Sequence, residues 1–478
     1  MKPSILIGAL VLSGLLVACA PIPKLADPAK PLAAEQVGLH AGTSSEFAAD
    51  WWTAYHDEQL DALEQRALAQ SPSLAAARAR IARAAALVEN AGAAAKPDVG
   101  LETDITRERL TETSIYPPPL GGSVLTMANL QVGVSYDWDF FGRHAAELDS
   151  ALGQQRAAQA DAAAARLMLS SQVAHAYFEL ARTVEQQHLL EEQTKLRGQA
   201  FDLVRQRVDA GLDNQQDRRS AEAPLPELHR QQVQLAAQAD QLRHQLAQLT
   251  VQAPDSVASL APRLPDAIAL GSQDALTLDL LGRRPDVVAA RWRVEASTRD
   301  VQVARTQFYP DVSLSAFAGF NSIGLNKLLK SESGQWGVGP SLRLPLFDAG
   351  HLSAQLKGTA AAADAAVASY NATVLDAVRD AGDQIVTLQS LDRQQQEVDR
   401  LLANAEASQS LAKQRFDAGL GNRLALLAAQ GNVVAQQRQA LDLRGMKVEA
   451  QVNLMRALGG GWSEASAAQS AQSAQQGQ

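Results

Sequence analysis

The chain has a single cysteine in 478 residues, no excess of basic side chains and no gathered catalytic signature. One cysteine excludes an internal disulfide framework, so the folded state must rest on packing. Forty-three basic against 52 acidic side chains give a net charge of −9, a composition that excludes a nucleic-acid binder. No nucleophile, base and orienting group come together, which argues against an enzyme, and no cofactor is expected. His175 and Glu179 stand one helical turn apart but lack third and fourth ligands for a metal. The GVGP run at 337–340 has no phosphate-binding helix behind it. Proline is scarce where it matters: none occurs from Gly142 to Asp209 or from Gly350 to Asp417. As α-helix each interval is about 100 Å long, more than a globular domain needs.

The first residues indicate the compartment. Lys2 precedes the apolar run ILIGALVLSGLLVA, which is too short to span a bilayer comfortably and reads as a cleaved signal over residues 1–18. LVAC, Leu16 to Cys19, resembles a bacterial lipobox, which implies cleavage before Cys19 and lipid attachment to it. By the same resemblance, Ala20 rather than Asp favours the outer membrane. Residues 19–46 carry Pro, Ala, Lys and Gly without periodicity and are expected to be a lipidated tether. The polar tail 459–478 is expected to be disordered.

What the chain has in quantity is repetition. RVDAGLDNQ at 207–215 returns as RFDAGLGNR at 415–423, an offset of 208 residues, and long flanks can be laid over themselves at that spacing. Each long proline-free interval ends at this phrase. Gly211 and Gly419 stand where a helix needs a left-handed residue past its end, and Leu212 and Leu420 follow as the apolar contact of such a cap. The phrase therefore reads as the tip of an αα-hairpin, with return helices at about 212–251 and 420–458. Pro224 and Pro226 predict a break in the first return helix that the second lacks. Val374, Val378, Ala381, Ile385 and Leu388, and Leu169, Val173, Ala176 and Leu180, set apolar stripes that predict lengthwise helix packing. Upstream, Asp57 is a capping residue and Pro72 opens a second helix.

Between helices the period changes to two. Val99, Leu101 and Ile105 alternate with Gly100, Glu102 and Asp104; Leu130 to Trp138 alternate with Gln131 to Asp139. The second half repeats this with Val312, Leu314 and Ala316, then Trp336, Val338, Leu342 and Leu344. Strands are predicted at about 97–106, 129–141, 310–320 and 335–347, giving a first repeat over 47–251, an inter-repeat segment over 252–284 and a second repeat over 285–458. Two half-buried hairpins of a soluble sandwich would alternate in the same way. Strands with one apolar and one polar face also fit a transmembrane barrel, but four cannot close, and an open edge in lipid costs several kcal/mol for each unpaired backbone group. On that reading the chain pools strands with copies of itself, in a number that the strands alone leave open.

Over the whole mature chain the sequence resembles the TolC-like outer-membrane factors of tripartite efflux systems, in their NodT-type lipoprotein branch. The resemblance rests on WW at 51–52, YDWDFFGR at 136–143, LLGRRPDVVAARWRVEAS at 280–297, FYPDVSLSAFAGF at 308–320, PLFDAG at 345–350 and the paired tips. It implies a mainly α fold with a membrane β-barrel, two structural repeats and a homotrimer forming a 12-stranded barrel above an α-helical periplasmic tunnel. It implies a channel exporting small amphiphilic compounds, energised by an inner-membrane pump through a periplasmic adaptor. A duct for a type I protein secretion system and a non-conducting envelope scaffold remain open. By resemblance, Arg207, Gly211, Leu212, Arg415, Gly419 and Leu420 meet the adaptor. By the same resemblance Asp217 lies at the periplasmic gate, where Ala425 and Ala428 stand in place of the aspartates of known members; Arg218, Arg219 and Arg423 are nearby, and a gate held mainly by packing and by Asp217 with an arginine is expected. Glu102, Asp104, Asp137, Asp139 and Arg343 are expected to line the barrel lumen.

Overall fold

The computed structural model describes residues 22–39, 48–113, 115, 117–260, 262–265 and 282–464. Cys19 lies outside them, as do the signal and residues 465–478. The described chain folds as two compact units. One takes the residues up to Pro31, Ile81–Ala158 and Ala290–Tyr370; the other takes Leu32–Arg80, Gln159–Ala289 and those from Asn371 onward.

Among the described residues, eight α-helices and four strands follow one another in two rounds. Helices α1 (Glu58–Gln70) and α2 (Pro72–Ala94) lead to β1 (Asp98–Arg109) and β2 (Val124–Trp138), then α3 (Arg143–Asp209), α4 (Gln215–Glu222) and α5 (Pro224–Leu249). Helix α6 (Pro285–Thr306), β3 (Asp311–Ile323), β4 (Gly334–Arg343), α7 (His351–Asp417) and α8 (Arg423–Ala457) complete the second round. Both α3 and α7 have 67 residues. No described helix is long and apolar enough to cross a membrane. The break in the first return helix falls at Ala223, with Pro224 opening α5, where its missing N–H costs nothing; α8 runs its 35 residues uninterrupted.

In the first unit the strands form one antiparallel sheet in the order β1-β2-β3-β4. The two hairpins are joined by twelve β2–β3 pairs from Met127↔Ile323 to Trp138↔Val312. Strand β2 stops at Trp138, short of the expected 141, because the carboxylate of Asp139 accepts from the backbone N–H groups of Arg143 and Ala145 and so starts α3. Gly142, at φ 76°, makes the turn between them. Asp348 does the same for α7, accepting from Gly350 N at 3.1 Å and from Leu352 N. The chain must leave the sheet to place that cap, and β4 ends at Arg343 rather than 347.

The second unit is a helical core. Trp51, Trp52 and Tyr55 of a short 3-10 turn pack with Leu60, Leu63, Val173, Tyr177, Leu180 and Leu246. Each such side chain, fully buried, contributes about 1.5–3 kcal/mol. Asp57 caps α1 through Gln59 N and Leu60 N, while its second oxygen accepts from Tyr177 Oη at 2.7 Å. One arginine joins three segments: Arg284 holds Asp286 with two hydrogen bonds of 3.0 and 2.6 Å, approaches Asp380 at 3.8 Å and donates to Ala457 O at 3.5 Å.

Residues 22–39 and 459–464 differ from the sequence expectation. Residues 22–39 are a packed strap. In the first unit Leu25 packs beside Phe308 and Leu356, and Ala29 N donates to Asp364 Oδ1 at 2.8 Å. In the second, Leu32 N donates to Asn371 Oδ1 at 2.9 Å and Leu39 is buried with Ala381 and Leu454. At the C-terminus, Gly459 and Gly460 are buried and terminate α8, with Gly460 N donating to Met455 O at 2.8 Å. The first part of the tail expected from 459, up to Glu464, is therefore placed in the fold, and the rest of it lies outside the described residues.

Candidate functional site: hairpin tips and a two-faced sheet

The tips are built by their glycines. Gly211 and Gly419 both have φ 72°, a left-handed conformation that a side chain would strain. Around them the hydrogen bonds repeat: Leu212 N to Arg207 O at 2.8 Å and Leu420 N to Arg415 O at 2.9 Å, with each glycine N–H donating to the residue three before it at 3.0 Å. This is the six-to-one and five-to-two pattern of a Schellman cap. Such a cap usually covers its leucine against the preceding turn, yet Leu212 is 68% and Leu420 82% exposed. Both leucines are thus held by rigid caps with most of their apolar surface in solvent.

The two tips then diverge. Arg207 grips Asp213 at 2.7 and 2.8 Å, a pair that holds the Asp213 carboxyl below its usual range. In the second tip Gly421 stands in that place, so Arg415 has no equivalent of Asp213 to hold. Past the first tip, Asn214 caps α4, and Asp217 returns the contact by accepting from Asn214 N at 3.1 Å. Past the second, Asn422 caps α8 alone, because Ala425 has no side chain to reciprocate. Within one chain Asp217 makes no ion pair with an arginine among the described residues: Arg219 pairs with Glu222 at 3.0 Å, and Arg423 lies 5.7 Å from the Phe416 ring centroid. Arg218 is half-buried with its Nε unpartnered.

In the sheet, pairing register sorts the side chains onto two faces. Val99, Val134, Ala316 and Val338 share one rung, and Leu101, Val132, Ala318 and Trp336 the next. Glu102, Gln131, Gly319 and Gln335 share a rung of the opposite face, linked by Gln131 Nε2 to Glu102 Oε2 at 2.9 Å. Asp104 and Asp137 lie on that polar face; Arg343, opposite Asp311, closes its foot. Asp139 does not belong to it, being the cap of α3. Several of the apolar side chains stay in solvent: Leu101 is 70%, Trp336 79% and Leu342 68% exposed. Among the described residues of a single chain, the greasy sheet face is left largely exposed and the edges β1 and β4 are unpaired.

Three features escaped the sequence. Arg284 as a three-way tie shows only as one letter of an RRPD run. Glu64 is completely buried and both its carboxylate oxygens lack a partner, although nothing in an alanine-rich amphipathic stretch marks it. Phe317, the one aromatic among the polar-face rungs, could have been found from strand parity. His175 Nε2 donates to Asn453 Oδ1 at 3.0 Å, Glu179 holds Arg182, and no metal-binding group occurs among the described residues.

These features have counterparts in known proteins. A family model described as outer membrane efflux protein matches residues 63–251 and 276–460. Multidrug resistance outer membrane protein MdtP of Escherichia coli strain K12 is 33% identical over 457 residues, covering 93% of each chain. The outer membrane protein VceC of Vibrio cholerae is 33% identical with a TM-score of 0.78, over 87% of this chain and 99% of that one. The outer-membrane channel OprN is 27% identical with a TM-score of 0.79, over 93% and 99%. Matched over both repeats and sharing this architecture, the chain belongs to the outer membrane efflux protein family and is not an enzyme.

Proposed function

We propose that three copies of this chain pool their four-stranded sheets into a 12-stranded barrel, and that the assembly exports small amphiphilic compounds or drugs across the outer membrane. The observation that carries this reading is the sheet: one continuous apolar face, one polar face and two free edges make sense only when further strands and lipid complete it. Barrel closure pairs β1 of one copy with β4 of the next and turns Glu102, Asp104, Asp137 and Arg343 toward water. The long helices below form the periplasmic tunnel. MdtP, named for multidrug resistance, supports drugs as the cargo.

The tips Arg207, Gly211, Leu212, Arg415, Gly419 and Leu420 are the surface for a periplasmic adaptor, which couples the duct to an inner-membrane pump. Cys19, carrying lipid, anchors the mature N-terminus to the outer membrane, and the packed strap from Ile22 carries the chain down from it. Near the tips Asp217, Arg218, Arg219 and Arg423 line the gate, with Asp217 also capping the start of α4. A sheet with a polar inner face favours a conduit over a non-conducting scaffold. The test is the purified full-length protein in detergent and in a planar bilayer: a mass of three chains and an ion-conducting pore are expected. A stable monomer, or a trimer without conductance, contradicts the proposal.

A further inference from the structure

The apolar face of the sheet finishes differently at its two ends. Its rungs pass through Val99, Leu101, Thr103 and Ile105 of β1 and through their register partners on the other strands. In all four strands the charged side chains of that parity are Arg107, opposite Thr126, and Arg109, opposite Val124. Both stand at the end away from the helices. The helix end finishes instead in rings, with Tyr136, Trp138 and Phe140 in a row at centroid separations of 6.2 and 6.1 Å. From Trp138 to Thr126 a strand rises about 40 Å, or about 30 Å along a barrel axis at ordinary tilt, which is the thickness of a hydrocarbon core. The Arg107 rung therefore falls where acyl chains give way to headgroups.

The β3–β4 connection starts on that same rung, because Gly324 N donates to Thr126 O at 2.7 Å. It winds through successive three-residue bonds, from Lys327 N to Gly324 O, Lys330 N to Lys327 O and Ser333 N to Lys330 O. Side chains three apart share a side of such a winding, so Lys327 and Lys330 are neighbours. On the adjoining apolar rung Ile105, on the far strand, is 59% exposed, whereas Ala128 and Ser322, nearer the connection, are 1% and 7% exposed. That gradient of cover seats the winding on the apolar side of the sheet, where Leu325 and Leu329 stay exposed. Arg109 is held by Glu112 at 3.1 Å. The side chains of Arg107, Lys327 and Lys330 have no hydrogen-bond or ion-pair partner among the described residues. Adjacent like charges repel until an anion lies between them. Arg107 and Gly324 are two strands apart, about 10 Å, so the cations suit a headgroup with two phosphates better than one.

We propose that Arg107, Lys327 and Lys330 form a ledge for a doubly phosphorylated lipid headgroup of the outer leaflet, with Leu325 and Leu329 against the start of its acyl chains. This rests on the reading of the sheet as part of a membrane barrel with its helices on the periplasmic side, and names a lipid partner for it. The bound lipid neutralises the cluster and holds the connection against the barrel wall. The helix end, with rings and no cation on its apolar rungs, has no such preference.

The test uses the purified full-length protein, its conductance first measured in planar bilayers, and then its binding in detergent of fluorescent diphosphoryl lipid A, monophosphoryl lipid A and phosphatidylglycerol. Diphosphoryl lipid A should half-saturate the protein at a concentration at least fivefold below that of the other two. Each cation beside an anionic lipid surface contributes about fivefold, so Lys327→Gln with Lys330→Gln should raise that concentration about twenty-fivefold and Arg107→Gln about fivefold, with open conductance unchanged. Lys327→Arg with Lys330→Arg should bind as the wild type does. Equal binding by the wild type and the double glutamine variant overturns the ledge while leaving the duct intact, as does equal binding of phosphatidylglycerol and diphosphoryl lipid A. Excess inorganic phosphate should leave the lipid in place, and complete displacement by it overturns the lipid as ligand. A protein that forms no pore overturns the duct reading, and the ledge with it.

Discussion

Glu64→Gln is a direct test of how the helical core is balanced. Glu64 is fully buried in α1, and neither oxygen has a hydrogen-bond partner. Burial raises its pKa well above the ordinary 4.5; Arg166 opposes the rise, and Asp50 and Asp61 add to it. Arg166 is of limited help because it is already held by Asp50 at 2.7 Å. Below pH 4.5 both folded and unfolded chains carry the proton. Above it the unfolded chain releases the proton and the folded chain keeps it, so stability falls as pH rises, by about 1.4 kcal/mol per pH unit, until the folded value is passed. Glutamine mimics the protonated acid and has no proton to lose. The apparent melting midpoint, followed by helical circular dichroism from about pH 5 to 8, should decline for the wild type relative to Glu64→Gln, with the gap widest at the alkaline end. Parallel profiles would refute the claim that Glu64 stays protonated in its burial site.

Other substitutions probe the remaining parts. Leu314→Arg puts a charge on the apolar sheet face and should cost about 2–4 kcal/mol near the bilayer midplane, read as loss of heat-resistant oligomer on gels; normal assembly would reverse the facing of the strands. Gly419→Ala should cost about 1–2 kcal/mol for one residue forced into the left-handed region, visible as faster proteolysis at the second tip; an unchanged cleavage rate would remove the cap from the account. Arg284→Met breaks hydrogen bonds to Asp286 and Ala457 and should destabilise the helical unit by about 2–3 kcal/mol, lowering its midpoint at all pH values.

Much of this fold could be read from local chemistry. The Schellman caps at Gly211 and Gly419, the cap at Asp57, the new start at Pro72 and the break before Pro224 are each set by a residue and its neighbours. The apolar stripe Leu169, Val173, Ala176 and Leu180 is buried in the core because period alone determines a helix face. Sequence and structure part company where distant residues decide. Alternation runs on through Asp139, and only the start of α3 tells its carboxylate to cap. The strap has no periodicity of its own; Asp364, Asn371 and the apolar partners of Leu25 and Leu39 hold it. The capping role of Asp217 is hidden until the helix start is located, because its reciprocal bond to Asn214 N is invisible before then. Pairing of β2 with β3, which joins the two hairpins into one sheet, depends on residues nearly two hundred positions apart.

The central claim is a drug-exporting duct engaged through its tips. The most direct measurement is dye accumulation and drug susceptibility in a deletion strain of the source bacterium, complemented with the wild type or with Leu212→Glu and Leu420→Glu together. The account predicts hypersensitivity to several unrelated amphiphiles, rescued by the wild type and not by the double variant, although both reach the outer membrane in equal amounts. Full rescue by the double variant would contradict docking through the tips, and unchanged susceptibility with a missing secreted protein would contradict drug export.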